Sequence, residues 1–184
     1  MTINSLSVRE LQEHDIDRIT DYWLNATPAF LEGMGVDLSK MPSREQWRAA
    51  LTKQLETPIA AKQSYAIIWE IDEQAIGHCN INDIKFGEQA FMHLHMWRSD
   101  LRQQGAGVNL VKMTLPYFFE NFQLKRLFCE PNALNPAPNK TLPKVGFTFV
   151  KAHLTTPSWL TSEQMVNRWE MSYEQFKIIN NIIS

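Results

Sequence analysis

Apolar and polar positions alternate over residues 6–11, with Leu6 and Val8 set against Ser7 and Arg9, and a period of two predicts a strand. The spacing becomes helical from Asp15 to Asn25, where Ile16, Ile19, Tyr22 and Trp23 share one face. Residues 27–42 follow neither period. Pro28, Gly33, Gly35 and Pro42 break up Phe30, Leu31, Met34 and Met41, which predicts an irregular apolar loop, a lid or a packed Ω-loop. Ser43-Arg44-Glu45-Gln46 has the form of a capping box, and the helix it opens carries Trp47, Leu51 and Leu55 and ends before Pro58.

Residues 64–71, 75–84 and 90–97 read as strands joined by the turns at Asp72-Glu73-Gln74 and Phe86-Gly87-Glu88-Gln89, an antiparallel meander. A helix over residues 108–122 contains Pro116, which deletes one backbone hydrogen bond and predicts a bend. Residues 124–130 form a buried strand. A short helix over 136–145 takes Asn135 as its N-cap, and Pro143 is expected to interrupt it. Strands at 147–154 and 165–172 precede a C-terminal helical tail. Helices crossing between strands of both connection types predict an α/β (α+β) fold, one domain over residues 1–184 with a mixed sheet covered on both faces.

The alternation also places chemistry. In the third strand of the meander Met92, Leu94 and Met96 share one face, and Phe91, His93, His95 and Trp97 share the other. In the strand before it, Cys79 and Ile81 oppose His78, Asn80 and Asn82. When both apolar rows face one core, the polar rows tile a single patch, the floor of a cleft in which His78, Asn80 and His93 are candidate substrate contacts. His93 and His95 are an H-x-H pair without a third ligand, so no metal is expected.

Between that meander and the long helix stands Arg102-Gln103-Gln104-Gly105-Ala106-Gly107, followed by Val108. A strand that passes through a basic, glycine-bearing turn into a helix makes an anion site. The glycines let a ligand approach, and the first helical amides point outward with the positive end of the dipole behind them. The spacing lacks the Lys-Ser/Thr of a Walker loop and the third glycine of a dinucleotide fingerprint. The pattern R-x-x-G-x-G resembles the pyrophosphate loop of the GNAT N-acetyltransferases. Asn135-Pro-Ala-Pro-Asn-Lys-Thr-Leu142-Pro-Lys144-Val-Gly146-Phe147 resembles the N-x-x-S-x-x-x-L-x-K-x-G-F run of the same family, closest to its Rim-type branch, which acetylates ribosomal-protein N-termini and small amines.

The resemblance implies a GNAT-like sheet of six to seven mostly antiparallel strands flanked by helices on both faces. It also implies direct acetyl transfer from acetyl-CoA, as cosubstrate, to a primary amine. The turn from Arg102 to Val108, with Asn135 and Lys140, is then expected to hold the coenzyme. A backbone amide near Met96 or Trp97 would meet the thioester oxygen. The attacking amine must first lose a proton; Glu130 is the base candidate by resemblance, and His95 is the candidate from the residues themselves. Phe30, on the segment from Pro28 to Met41, would close over the acceptor. Many relatives carry a proton-donating tyrosine where this chain has Leu142, and Pro138 replaces a serine, so the general acid is unassigned.

Composition narrows the field. The chain has 184 residues, 44% of them hydrophobic, enough for one core, and a net charge of −2 with no basic stripe argues against a nucleic-acid surface. No apolar run reaches membrane length. Cys79 and Cys129 read as reduced core thiols of a cytoplasmic protein. The expected partner is a small-molecule amine or a peptide N-terminus, and the aromatic C-terminal strands admit a homodimer. A non-catalytic acyl-CoA-binding or sensor module is the alternative, and an anion binder of another fold is the third.

Overall fold

The computed structural model describes residues 5–98 and 105–181. Seven strands form one sheet: β1 (Leu6–Glu10), β2 (Ser64–Ile71), β3 (Gln74–Lys85), β4 (Gln89–Met96), β5 (Arg126–Cys129), β6 (Thr148–Thr155) and β7 (Gln164–Ser172). Their spatial order is β1-β2-β3-β4-β5-β7-β6, and every neighbouring pair is antiparallel except β4 with β5. The helices are α1 (Ile16–Leu24), α2 (Pro28–Gly33), α3 (Arg44–Glu56), α4 (Ala106–Asn121), α5 (Pro136–Val145) and α6 (Tyr173–Ile179). Among the described residues no helix is long and apolar enough to cross a membrane.

Strand parity divides the side chains between two cores, as the alternation predicts. Tyr65, Ile67, Trp69, Cys79, Ile81 and Met92 point to the face where Leu110, Val111, Leu115, Phe118 and Phe119 of α4 are buried. Ala66 and Ile68, on the other parity of β2, meet Ile16, Ile19 and Trp23 of α1 and Leu51 of α3. The helices therefore cover both faces. The β2–β3 hairpin turns on Asp72 and Glu73, both with positive φ, the conformation a tight two-residue turn between twisted strands requires.

Arg9 fastens the α1 layer to the sheet edge. Its guanidinium donates to both oxygens of Asp15, at 2.5 and 2.9 Å, and its Nε donates to Glu70 at 2.7 Å. Burial pushes the Asp15 carboxyl up, yet hydrogen bonds from Arg9 and the Gln12 amide, with the Arg9 charge, outweigh it and hold the group below its ordinary value.

Three expectations are corrected here. Residues 27–42 are not irregular throughout, because Thr27 caps the Phe30 amide, Pro28 starts α2 and Leu38–Lys40 makes a 3-10 turn. Pro143 does not interrupt α5, which runs on to Val145 and ends at Gly146 with φ 116°. The long helix starts at Ala106, two residues before the apolar period begins, and continues through Pro116 to Asn121.

Candidate active site

β4 and β5 run side by side for only three register pairs, Gln89 with Arg126, Ala90 with Leu127 and Phe91 with Phe128. Beyond Phe91 the strands part, and β4 continues to Met96 without β5 beside it. The gap opens toward the N-terminus of α4. Gly105, with φ 81°, is the N-cap residue, a left-handed conformation that glycine adopts without strain. A Cβ placed on Gly105 or Gly107 would meet no atom of the described residues within 4 Å, and the first turn of α4 holds no acidic residue. Among the described residues the helix start is thus open, and the positive end of its dipole favours a negatively charged guest at its first amides.

A cavity of about 340 Å³ runs from this helix start into the gap, between Leu94 and Met96 of β4, Val108 and Val111 of α4, and the first turns of α5 with Asn135, Lys140, Thr141 and Lys144. The Asn135 side chain caps α5 by accepting from the Ala137 amide at 3.3 Å. Asn139 pins the same turn. Its Nδ2 donates to the carbonyls of Asn132 and Asn135, and its Oδ1 accepts from Asn167 and from the Trp169 indole. Tyr22, Phe30 and Met34 form the wall nearest α1.

A second cavity, of about 430 Å³, lies under α1 and α3 on the polar face of the meander. His78, Asn80, Asn82, His93 and His95 line it together, as strand parity predicts. Trp23, Trp47 and Trp159 make its aromatic side, with Trp23 and Trp47 stacked at 5.6 Å. The Trp47 indole N–H is buried with no hydrogen-bond partner among the described residues. The Trp97 indole donates to His78 Nδ1 at 2.8 Å, and the imidazoles of His78 and His95 stack at 4.5 Å. His93 Nε2 meets Asn82 Oδ1 at 3.0 Å.

Burial lowers the pKa of all three histidines, His78 to about 3, His93 to about 4 and His95 well below the usual imidazole value; His93 adds to the effect at His78, Asp83 opposes it at His93, and His78 and His93 add to it at His95. They are neutral at pH 7. Burial likewise pushes the Cys129 thiol up to about 12 and Cys79 well above its ordinary value, so neither is a thiolate nucleophile.

The remaining candidates fall differently. Glu130 lines neither cavity. Register places it on the same sheet face as His93, since Phe91 pairs with Phe128, but its Oε1 accepts from Arg168 Nε at 2.5 Å, and His153 Nε2 is 3.3 Å away. That carboxylate is held in an ion pair and lies off both cavities. Met96 lines the coenzyme-side cavity, whereas the Trp97 amide is already given to the Ile76 carbonyl at 2.9 Å. Strand alternation turns the Met96 amide to the opposite side, toward the gap. Ala106 is buried, and Phe30 lies on the smaller cavity, not over the histidines. Arg102, Gln103 and Gln104 lie outside the described residues. Leu142 is fully buried.

Residues 28–41 form a tied wall, not a loose flap. Val36 bridges Thr161, the Asp37 amide donates to the Leu160 carbonyl at 2.9 Å, and Lys40 Nζ donates to the Thr161 carbonyl at 2.7 Å. Sequence reasoning did not single out Tyr22, Trp47 or Trp159. Tyr22 carried the spacing of a core residue, and the two indoles meet only through the fold.

Residues 5–148 match the family model described as acetyltransferase (GNAT) domain. No curated protein sequence matches the chain. Among solved structures the chain is similar to the spermidine N-acetyltransferase of Vibrio cholerae in complex with CoA and spermine, with a TM-score of 0.74 at 16% identity over 93% of this chain and 97% of that one. It is similar too to RimL, a ribosomal L7/L12 α-N-protein acetyltransferase in complex with coenzyme A, with a TM-score of 0.74 at 13% identity over 94% and 96%. An uncharacterised protein from Bacillus halodurans gives a TM-score of 0.68 at 14% identity over 95% and 87%.

Proposed function

We propose, since the chain belongs to the GNAT acetyltransferase family, that it moves an acetyl group from acetyl-CoA directly to a primary amine, with donor and acceptor held in the two cavities described above. The observation that carries this reading is the parting of β4 from β5 beside the open start of α4. The α4 amides and the lysines 140 and 144 would receive the diphosphate, and the gap would receive the pantetheine arm. The β4 backbone that faces the gap would lie along the thioester. His95, unprotonated at neutral pH, replaces Glu130 as the base we assign.

The histidine-lined cavity would hold the amine. Among the described residues its lining includes one carboxylate, Asp83, and three indoles, of which that of Trp47 is without a hydrogen-bond partner. A polycation finds little to neutralise it there. A singly charged amine with an apolar body and a carbonyl fits better, as a peptide N-terminus does, with cation–π attraction from the tryptophans adding to the fit.

Thermal unfolding with CoA, followed by thiol release from acetyl-CoA across an amine panel, tests this. At a hundredfold excess over Kd the ligand should stabilise the fold by about 2.7 kcal/mol, a rise of about 5–10 °C for a chain of this size. Acetylation of an apolar dipeptide should exceed that of spermidine. Stabilisation without thiol release from any amine would favour the non-catalytic sensor; no stabilisation at millimolar CoA would remove both readings.

We also propose that a second copy of the chain covers β6. This strand is at the sheet edge and exposes Phe149, Val150 and Leu154, an unpaired apolar edge of the kind that recruits a partner. Sedimentation velocity should show a dimer that Leu154→Glu converts to monomer; a monomeric wild type at high micromolar concentration would refute it.

A further inference from the structure

The two cavities share a wall, and Tyr22 stands in it. Its ring lines the cavity at the start of α4, while its hydroxyl lies 3.4 Å from Nδ1 of His95, which lines the other cavity. Position is enforced by packing, because the ring makes edge contacts with Trp23 at 5.2 Å, His95 at 5.6 Å, His78 at 5.9 Å and Phe30 at 6.2 Å. The hydroxyl also approaches Met34 Sδ at 3.6 Å. Among the described residues that line either cavity Tyr22 is the tyrosine, Met34 beside it lines both, and the fully buried Leu142 offers no proton in its place.

We infer that Tyr22 is the general acid of the transfer and that His95 and Tyr22 form one proton relay connecting the acceptor cavity to the donor cleft. The inference rests on the assignment of those two cavities proposed above. Its balance is simple. The amine nitrogen bonds to the acetyl carbon and the carbon–sulfur bond breaks. One amine proton goes to the ring nitrogen of His95 that does not face Tyr22, the Nδ1 proton passes to the Tyr22 oxygen, and the Tyr22 hydroxyl proton goes to the departing sulfur. Amide and neutral thiol result, and His95 is left as its other tautomer, which resets by exchange with water.

Coupling the two groups removes a difficulty each has alone. A phenol of pKa about 10 gives its proton reluctantly to a thiolate of pKa about 8.5, and would be left as a buried anion. A buried imidazole, for its part, does not keep a proton. When the imidazole hands its proton to the phenol as the phenol releases one, neither charged form has to persist.

The test is a kinetic cycle with Tyr22→Phe, His95→Gln and the double variant, each first checked for CoA-dependent thermal stabilisation. Each single substitution should lower kcat about 100-fold, the scale of one general acid–base step, with KM for acetyl-CoA within threefold of wild type. The double variant should fall no more than about threefold further, because members of one relay fail together. Overturning results are a Tyr22→Phe kcat within threefold of wild type, a loss confined to KM, or effects that multiply to about 10⁴. If Tyr22→Phe unfolds, Tyr22→His keeps a ring and a donor there, and its recovery of at least tenfold over His95→Gln is the expected result. Wild-type protein that binds CoA and acetylates no amine would overturn the function itself, and this relay with it.

Discussion

Taken from pH 7 to pH 5, the protein is expected to lose several kcal/mol of stability, with most of the loss traceable to three histidines. His78, His93 and His95 are held neutral by burial, with His78 at about 3 and His93 at about 4. In the unfolded chain an imidazole titrates near 6.5. Below that value the unfolded state takes up protons that the folded state refuses, so stability present above pH 6.5 falls as pH drops toward 4. Each histidine contributes at most roughly 2 kcal/mol at pH 5, and the three together at most about 6 kcal/mol, which approaches the whole stability of many domains. Around the trio stand Tyr22, Trp23, Asn82, Asp83 and the Trp97 indole, and Asp83 opposes the shift, through His93. Asp15, whose carboxyl is held low, adds its own loss only below about 3.8. Urea midpoints at pH 8, 7, 6 and 5 should decline steeply below 6.5, and His93→Gln should flatten the curve by one proton. A flat wild-type profile would show that the folded histidines protonate freely.

Gly107→Leu should separate binding from folding. The position is the second residue of α4, and among the described residues the space above it is open, with room for a side chain. Leucine is the better helix former, so stability should stay level or rise by up to about 1 kcal/mol. The same side chain would occupy the space through which a diphosphate approaches the first amides. CoA affinity should therefore fall at least about 100-fold, a loss of about 2.7 kcal/mol, which would abolish the thermal shift seen with wild type. Calorimetric titration at pH 7.5 reads the affinity directly. Undiminished binding would place the coenzyme elsewhere.

Much of the site was legible because strands write their faces into the sequence. The period-two pattern of residues 78–97 puts five polar side chains on one face, and the capping signals at Ser43 and Asn135 mark two helix starts. What escaped notice depended on long-range contact. Tyr22 has the helical spacing of a buried residue, and only the arrival of β4 beneath α1 shows its hydroxyl reaching His95. The partner of Glu130 is 38 positions further along the chain, so its neutralisation had no local signature. The helix α2 was hidden by Gly33 and Gly35, residues that punctuate chains, although Thr27-Pro28 is a regular start signal.

β7 lies between β5 and β6, although the ribosome makes it after both. Until Gln164 and the residues after it have emerged, a growing chain holds β6 with no neighbour to pair with, and β5 stays open on its outer side until Ser172. The tether from Gly35 to Gln164 is likewise unavailable until β7 begins. The proposed amine site is thus completed only with β7. A nascent chain stalled short of its last strand would expose two sticky edges and have no completed acceptor wall.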